Sequence, residues 1–336
     1  MNIFPRGRDV ALRGCSRFLR YFLAALLLLL PAAQARAEKK RLRIGHFPNM
    51  THVQALVAHN LSRHGKGWFE ERLGPDVEIE WYLYNAGPSA MEGFFARSID
   101  MTYVGPSPAV NAYVRSRGGE VRIVAGAVNG GSALVIQPGL EIKSPADFRG
   151  KKIATPQLGN TQDVACRAFL NAHGVKVTQS GGDAFVLPAS NPDLLALFAK
   201  REVDAAWTIE PWVTRLIQEA GGKIYLEEKD AVTTVLVSSA RFLRDQRELL
   251  QKVVAAHREL TEWIIANPEE AQRIVVEELA AETRTKISAE LVASAWPRLV
   301  LTNEVSRKAL ETYVENAKEA GFLRRVPDLG NLVVEP

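Results

Sequence analysis

Four short turns hold the residue types that could bind a small charged group. They are Pro48-Asn49-Met50-Thr51-His52, Gly87-Pro88-Ser89, Gly105-Pro106-Ser107 and Gly159-Asn160-Thr161. Each follows an apolar stretch of strand character and leads into helical periodicity. A helix start offers backbone N–H groups without intrahelical partners and a partial positive charge. The hydroxyls of Thr51, Ser89, Ser107 and Thr161 add donors, and none of the four turns contains Lys or Arg. Several such ends converging would hold a phosphate-, sulfonate- or carboxylate-like group without a cationic side chain. Each turn alone also reads as an ordinary helix cap, because Ser, Thr and Asn are favoured there for stability. The recurrence is what points to a ligand.

A second segment, Trp207-Thr208-Ile209-Glu210-Pro211-Trp212, places Glu-Pro-Trp at another strand-to-helix turn. Trp212 offers an apolar wall for an alkyl or aromatic tail, with one N–H donor. Glu210 either accepts from a ligand ammonium or caps its own helix, and capping is the favoured reading. His46 and His52 flank the first turn; a neutral imidazole there could donate to a ligand oxygen. His46, His52, His59 and His64 lie within 19 positions but lack a compact ligand spacing with a carboxylate, so no metal and no cofactor are expected. No Gly-x-Ser-x-Gly, Gly-x-x-x-x-Gly-Lys-Ser/Thr or His-Glu-x-x-His pattern occurs, so no activated catalytic group is evident.

These turns need elements to position them. Strand and helix alternate from Arg41 to Val128, and again from Lys151 to Glu219, while the chain beyond Arg241 is patterned as helix. Alternation of this kind predicts an α/β fold with mostly parallel sheets flanked by helices. In an open α/β sheet the four turns would lie at the carboxyl ends of the strands, where ligands bind. Two such runs predict two lobes: residues 38–131 with 236–336, and residues 132–235.

The N-terminus reads as a secretory signal over residues 1–37. Arg6, Arg8, Arg13, Arg17 and Arg20 precede an apolar run from Tyr21 to Ala33, and Ala35-Arg36-Ala37 supplies small residues for cleavage after Ala37. That run is short for a membrane span. The segment removed carries six Arg and one Asp, so the whole chain's formal charge of +4 becomes about −1 after cleavage. Nucleic-acid binding thereby loses its electrostatic basis. Cys166 is left as a lone cysteine, which excludes an internal disulfide in the exported chain.

Four segments resemble the nitrate/sulfonate/taurine family of ABC-transporter solute-binding proteins: Arg43–Asn49, Asp100–Pro108, Pro145–Ala154 and Asp204–Trp212. The resemblance runs from Arg41 to Phe322. It implies a two-lobed periplasmic-binding-protein fold (type II-like) that closes over a ligand and then docks on a permease served by an ATPase. It also implies a small anionic ligand, an organosulfonate or a nitrate-like oxyanion, and a non-enzymatic, periplasmic monomer. The expected ligand-binding residues are Asn49, Thr51, His52, Gly87, Ser89, Pro106, Ser107, Asn160, Thr161, Glu210 and Trp212. Two readings from other classes stand beside this one. One is a thiamine-pyrimidine synthase-like enzyme on the same fold, whose cysteine-rich signature is absent here; the other is a periplasmic sensor subunit.

Overall fold

Leu42 and Ile44 alternate with Arg41 and Arg43 along β1 (Lys40–His46), and the two aliphatic side chains are buried. Burying one such side chain stabilises the fold by about 1.5–3 kcal/mol. The alternation sets β1 between β2 (Val77–Leu83) and β3 (Met101–Val104), both parallel to it. β4 (Val121–Gly130) runs out of this sheet, and β5 (Ser132–Ile136) begins a second one. The computed structural model describes Met1 and Lys39–Pro336, and the expected signal peptide with its cleavage point lies outside the described residues. No helix among the described residues is long and apolar enough to cross a membrane.

The second sheet gathers β5, β6 (Lys152–Thr155), β9 (Phe185–Pro188), β10 (Ala205–Ile209) and β11 (Lys223–Glu228), in the order β11-β5-β10-β6-β9. A small hairpin of β7 (Val177–Thr178) and β8 (Gly181–Gly182) stands apart. The chain then returns through β12 (Val232–Ser239) to the first sheet, whose order is β13-β4-β12-β3-β1-β2, with β13 at Leu299–Leu301.

Each sheet is mixed, where mostly parallel sheets were expected. The β-α-β units give the parallel pairs β1–β2, β1–β3, β6–β9 and β6–β10. The strands entering from the other sheet add antiparallel pairs: β12 with β3 and β4, and β5 with β10 and β11. Such a strand arrives without a crossover helix, so nothing forces it parallel. The passage from β4 to β5 turns on Gly130 and Gly131, with φ of 71° and 69°. A Cβ on Gly130 would lie 2.5 Å from the Arg298 carbonyl oxygen, so the conformation and the space both require glycine.

Helices cover both faces of both sheets. Arg247–Ala266 and Pro268–Thr283 pack Leu250, Val253, Leu260 and Ile274 onto the core around Leu42, Ile44 and Leu56. Leu310 and Val314 of helix Arg307–Glu319 close the other face with Val110 and Ile123. In the second sheet Trp207 and Leu170 fill one face, and Phe198 and Val213 the other. The helix Trp68–Leu73 and the strands β11 and β13 add to the elements expected; β13 spans three residues inside a region whose pattern is otherwise helical.

Candidate functional site

Four helices begin around one small polar pocket: Gly87–Phe95, Pro106–Arg115, Thr161–Ala172 and Asn191–Ala199. Their first-turn amides lack intrahelical partners. Three helices elsewhere satisfy one such amide with a serine, Ser239, Ser288 or Ser306, while Val53–Arg63, Trp68–Leu73, Arg247–Ala266 and Pro268–Thr283 have no side-chain cap. At the pocket the caps of the first two helices are Ala86 and Gly105, which carry no capping side chain. Gly105 has a close neighbour: a Cβ there would meet Thr161 Oγ1 at 2.2 Å. A Cβ on Gly87 would likewise lie 2.2 Å from Pro108 Cγ.

The pocket is lined by Asn49, His52, Asn85, Gly87, Gly105, Asn160, Thr161, Gln162, Asn191 and Thr233, with Phe47, Ala86, Pro108, Pro156 and Ile209 as apolar wall. Among the described residues no Lys, Arg, Asp or Glu lines it. His52 is buried, and burial, followed by the charge of His46, holds its imidazole well below the ordinary range. It is therefore neutral, and Nδ1 accepts from the Phe47 amide at 3.4 Å, which leaves the proton on Nε2. The free volume is about 20 Å³, little more than the roughly 10–15 Å³ one water needs.

The expected site residues divide. Asn49, His52, Gly87, Asn160 and Thr161 come together in the pocket. Asn160 also caps its helix, with Oδ1 accepting from the Asp163 amide at 2.8 Å and Nδ2 donating to Gln162 Oε1 at 3.2 Å. The hydroxyls of Thr51, Ser107 and Thr161 are buried without a hydrogen-bond partner among the described residues. Unsatisfied buried donors are uncommon and costly, about 1–3 kcal/mol each, which marks these three.

Trp212 lines an adjoining chamber of about 400 Å³ together with Leu195, Leu279, Ile287 and Arg215. Asn49, Asn85 and Asn191 border both the pocket and the chamber. Trp212 Nε1 donates to Asn49 Oδ1 at 2.9 Å, and the Met50 amide donates to the Glu210 carbonyl at 3.0 Å. These two bonds tie the first turn to the Glu-Pro-Trp segment.

Five expected residues lie outside both linings: Thr51, Ser89, Pro106, Ser107 and Glu210. Ser89 Oγ donates to the Ala86 carbonyl at 2.7 Å, so its hydroxyl serves its own turn. Pro106 is buried at the first position of its helix, where its missing N–H costs nothing. Glu210 is buried; its carboxylate accepts from the Thr214 amide (3.0 Å) and hydroxyl (2.9 Å) and from Arg298 (3.1 Å). Burial pushes it up to about 7, against the pull of these donors. It caps its helix, as favoured from the sequence.

Sequence reading missed Asn85, Gln162, Asn191 and Thr233. Asn191 stands in Ser190-Asn191-Pro192 at a helix start after β9, the same turn chemistry as the four recognised turns. Thr233 sits on the returning strand and gave no local signal.

Comparison with known proteins adds a lineage. Over 202 residues the chain is 25% identical to a protein described as aliphatic sulfonates-binding in Escherichia coli (strain K12); the match covers 59% of this chain and 58% of that protein. The chain therefore spans less than two thirds of this relative's length. In fold it is similar to the alkanesulfonate-binding protein SsuA of Xanthomonas axonopodis pv. citri bound to MOPS, at 19% identity and TM-score 0.70, over 89% of this chain and all of that one. It is also similar in fold to the nitrate-binding protein NrtA of Synechocystis PCC 6803, at 13% identity and TM-score 0.67, over 85% of this chain and 83% of that one. The sequence pattern of the NMT1-like family matches residues 35–280. The chain belongs to the NMT1-like family.

Proposed function

We propose that this chain is the periplasmic substrate-binding component of an ABC importer for a small anionic solute. An organosulfonate comes first and a nitrate-like oxyanion second. It would act as a monomer and hand its ligand to a permease driven by an ATPase. The observation that carries the reading is the convergence of four helix N-termini on a pocket lined by no charged side chain. Dipoles and N–H groups of that kind favour an anion. Binding rather than catalysis fits a lining whose one titratable side chain, His52, is held neutral. The sulfonate- and nitrate-binding relatives support the ligand class.

In this reading the anionic head meets the first-turn amides and the hydroxyls of Thr161, Ser107 and Thr51, and Trp212 walls a chamber for the tail. Asn49, His52, Gly87 and Asn160 shape the pocket, while Ser89, Pro106 and Glu210 support the turns. The two sheets would be the centres of two lobes, crossed at Gly130–Ser132 and again just before β12. A head group larger than one water needs the pocket to widen. Admission then requires the Trp212–Asn49 and Met50–Glu210 bonds to open, and ligand contacts on both sides favour closure.

Calorimetric titration tests this with an alkanesulfonate, an aromatic sulfonate, nitrate and phosphate. Saturable one-to-one binding of at least one, with no binding of the matching amine or alcohol, is the expected result. Heat from none of the four anions would overturn it.

A further inference from the structure

We propose that His46, His59 and Glu282 form a binding site for one divalent transition-metal ion of the zinc class. His46 ends β1, His59 lies on helix Val53–Arg63 and Glu282 on helix Pro268–Thr283. The carboxylate missing from the histidine cluster in the sequence thus arrives from 223 and 236 positions away. Glu282 Oε1 lies 2.6 Å from His46 Nε2 and 2.8 Å from His59 Nδ1. One donor atom from each residue falls within 4.8 Å of the others. Tetrahedral zinc with ligands at about 2.0–2.1 Å needs its donors roughly 3.3 Å apart, so the two histidine–carboxylate pairs, at 2.6 and 2.8 Å, must open by roughly half an ångström to admit an ion.

Several features favour a cation over a hydrogen-bonded knot. The side chains of His46 and Glu282 are fully buried. Among the described residues Glu282 Oε2 has no partner, so a carboxylate oxygen is free for the ion, and the His46 ring makes no hydrogen bond outside the cluster. Glu278, one turn earlier, lies 2.9 Å from His59 Nδ1 and 2.7 Å from Arg63. Arg63 pairs with Glu278, and the Glu282 carboxylate faces the two imidazoles. Trp81 stacks on His59, centroids 5.2 Å apart, and restricts the ring. Glu282 also borders the chamber. Two imidazoles and one carboxylate leave a fourth position open, as in sites that take a water or a ligand atom. The polar pocket's lining includes none of the three residues, and Glu282 alone of them borders the chamber.

The test uses tag-free protein stripped with chelator and titrated with Zn²⁺ by calorimetry, then with Co²⁺ by absorption. One equivalent bound at micromolar or tighter dissociation constant, with tetrahedral cobalt bands, is expected. Glu282→Gln and His59→Gln should each weaken binding by about 100-fold or more, and His64→Ala, on the exposed surface, should not. Should the variants unfold, imidazole signals of the intact protein decide: Co²⁺ should broaden His46 and His59 first. No saturable binding, binding unaltered by Glu282→Gln, or broadening confined to His64 and His173 would each overturn the proposal.

Discussion

The polar pocket and the histidine–carboxylate cluster bury polar groups in opposite ways. The pocket spreads partial positive charge over helix starts and keeps full charges out of its lining. The cluster packs Glu278, Glu282, His46, His59 and Arg63 within hydrogen-bond reach of one another. On our proposals the first arrangement would select an anion without a counter-charge to desolvate, and the second a cation. Glu210 shows a third treatment of a buried carboxylate, satisfied by Thr214 and Arg298 on the rim of neither site.

The contrast breaks most severely if the pocket acquires a charge. Asn160→Asp keeps the cap, because Asn and Asp serve almost equally there. It also sets a carboxylate beside the bound anion. Affinity should fall by more than about 100-fold, roughly 2.8 kcal/mol or more, while the melting temperature moves little. Unchanged affinity in calorimetry would mean that the anion sits elsewhere.

Glu210 supplies the next effect, on stability. Its folded-state pKa of about 7 lies above its ordinary value of 4.5. Its contribution is therefore complete below about pH 4.5 and is lost as pH rises through 7, on the order of 3 kcal/mol. His52 and His257, held low by burial, slope the other way at lower pH. The difference between parent and Glu210→Gln isolates the glutamate: denaturant unfolding should show the parent losing ground to the variant between pH 5 and 7. Parallel profiles would place an ionised carboxylate there throughout.

Trp212→Ala sharpens the division between pocket and chamber. A sulfonate with an alkyl or aromatic tail should bind about 10- to 100-fold more weakly, and a bare oxyanion only several-fold, through the lost bond to Asn49. The stability cost of removing this buried ring is about 3 kcal/mol. Equal losses for both ligands would make the tryptophan a support of the fold. Thr161→Val removes one unpartnered hydroxyl and should weaken binding by about tenfold.

Ser89→Ala should leave affinity within twofold and cost about 1 kcal/mol of stability, since Oγ is committed to Ala86. A tenfold loss on titration would return Ser89 to the site.

What the sequence made legible follows the range of the interactions. Strand β1 and the helix starts at Pro106 and Thr161 depend on alternation and turn chemistry within a few residues, and they appear where those patterns place them. Which helix starts face one pocket depends on sheet order, so Asn191 joined the site and Ser89 did not. The pairing of His46 with Glu282 spans the whole first sheet and its covering helices, and no local pattern reports it. The mixed sheets follow from where the chain changes sheet at Gly130–Gly131, a turn visible in sequence whose effect on strand direction is not.

The central claim is that first-turn amides hold the anion. Backbone amide shifts recorded while a sulfonate is titrated to saturation test it most directly. The account predicts the largest downfield proton shifts at Gly87, Ser107, Thr161 and Gln162, with smaller ones at Trp212 Nε1. Shifts centred instead on arginine-bearing surfaces such as Arg43 and Arg241, with those four amides unmoved, would contradict it.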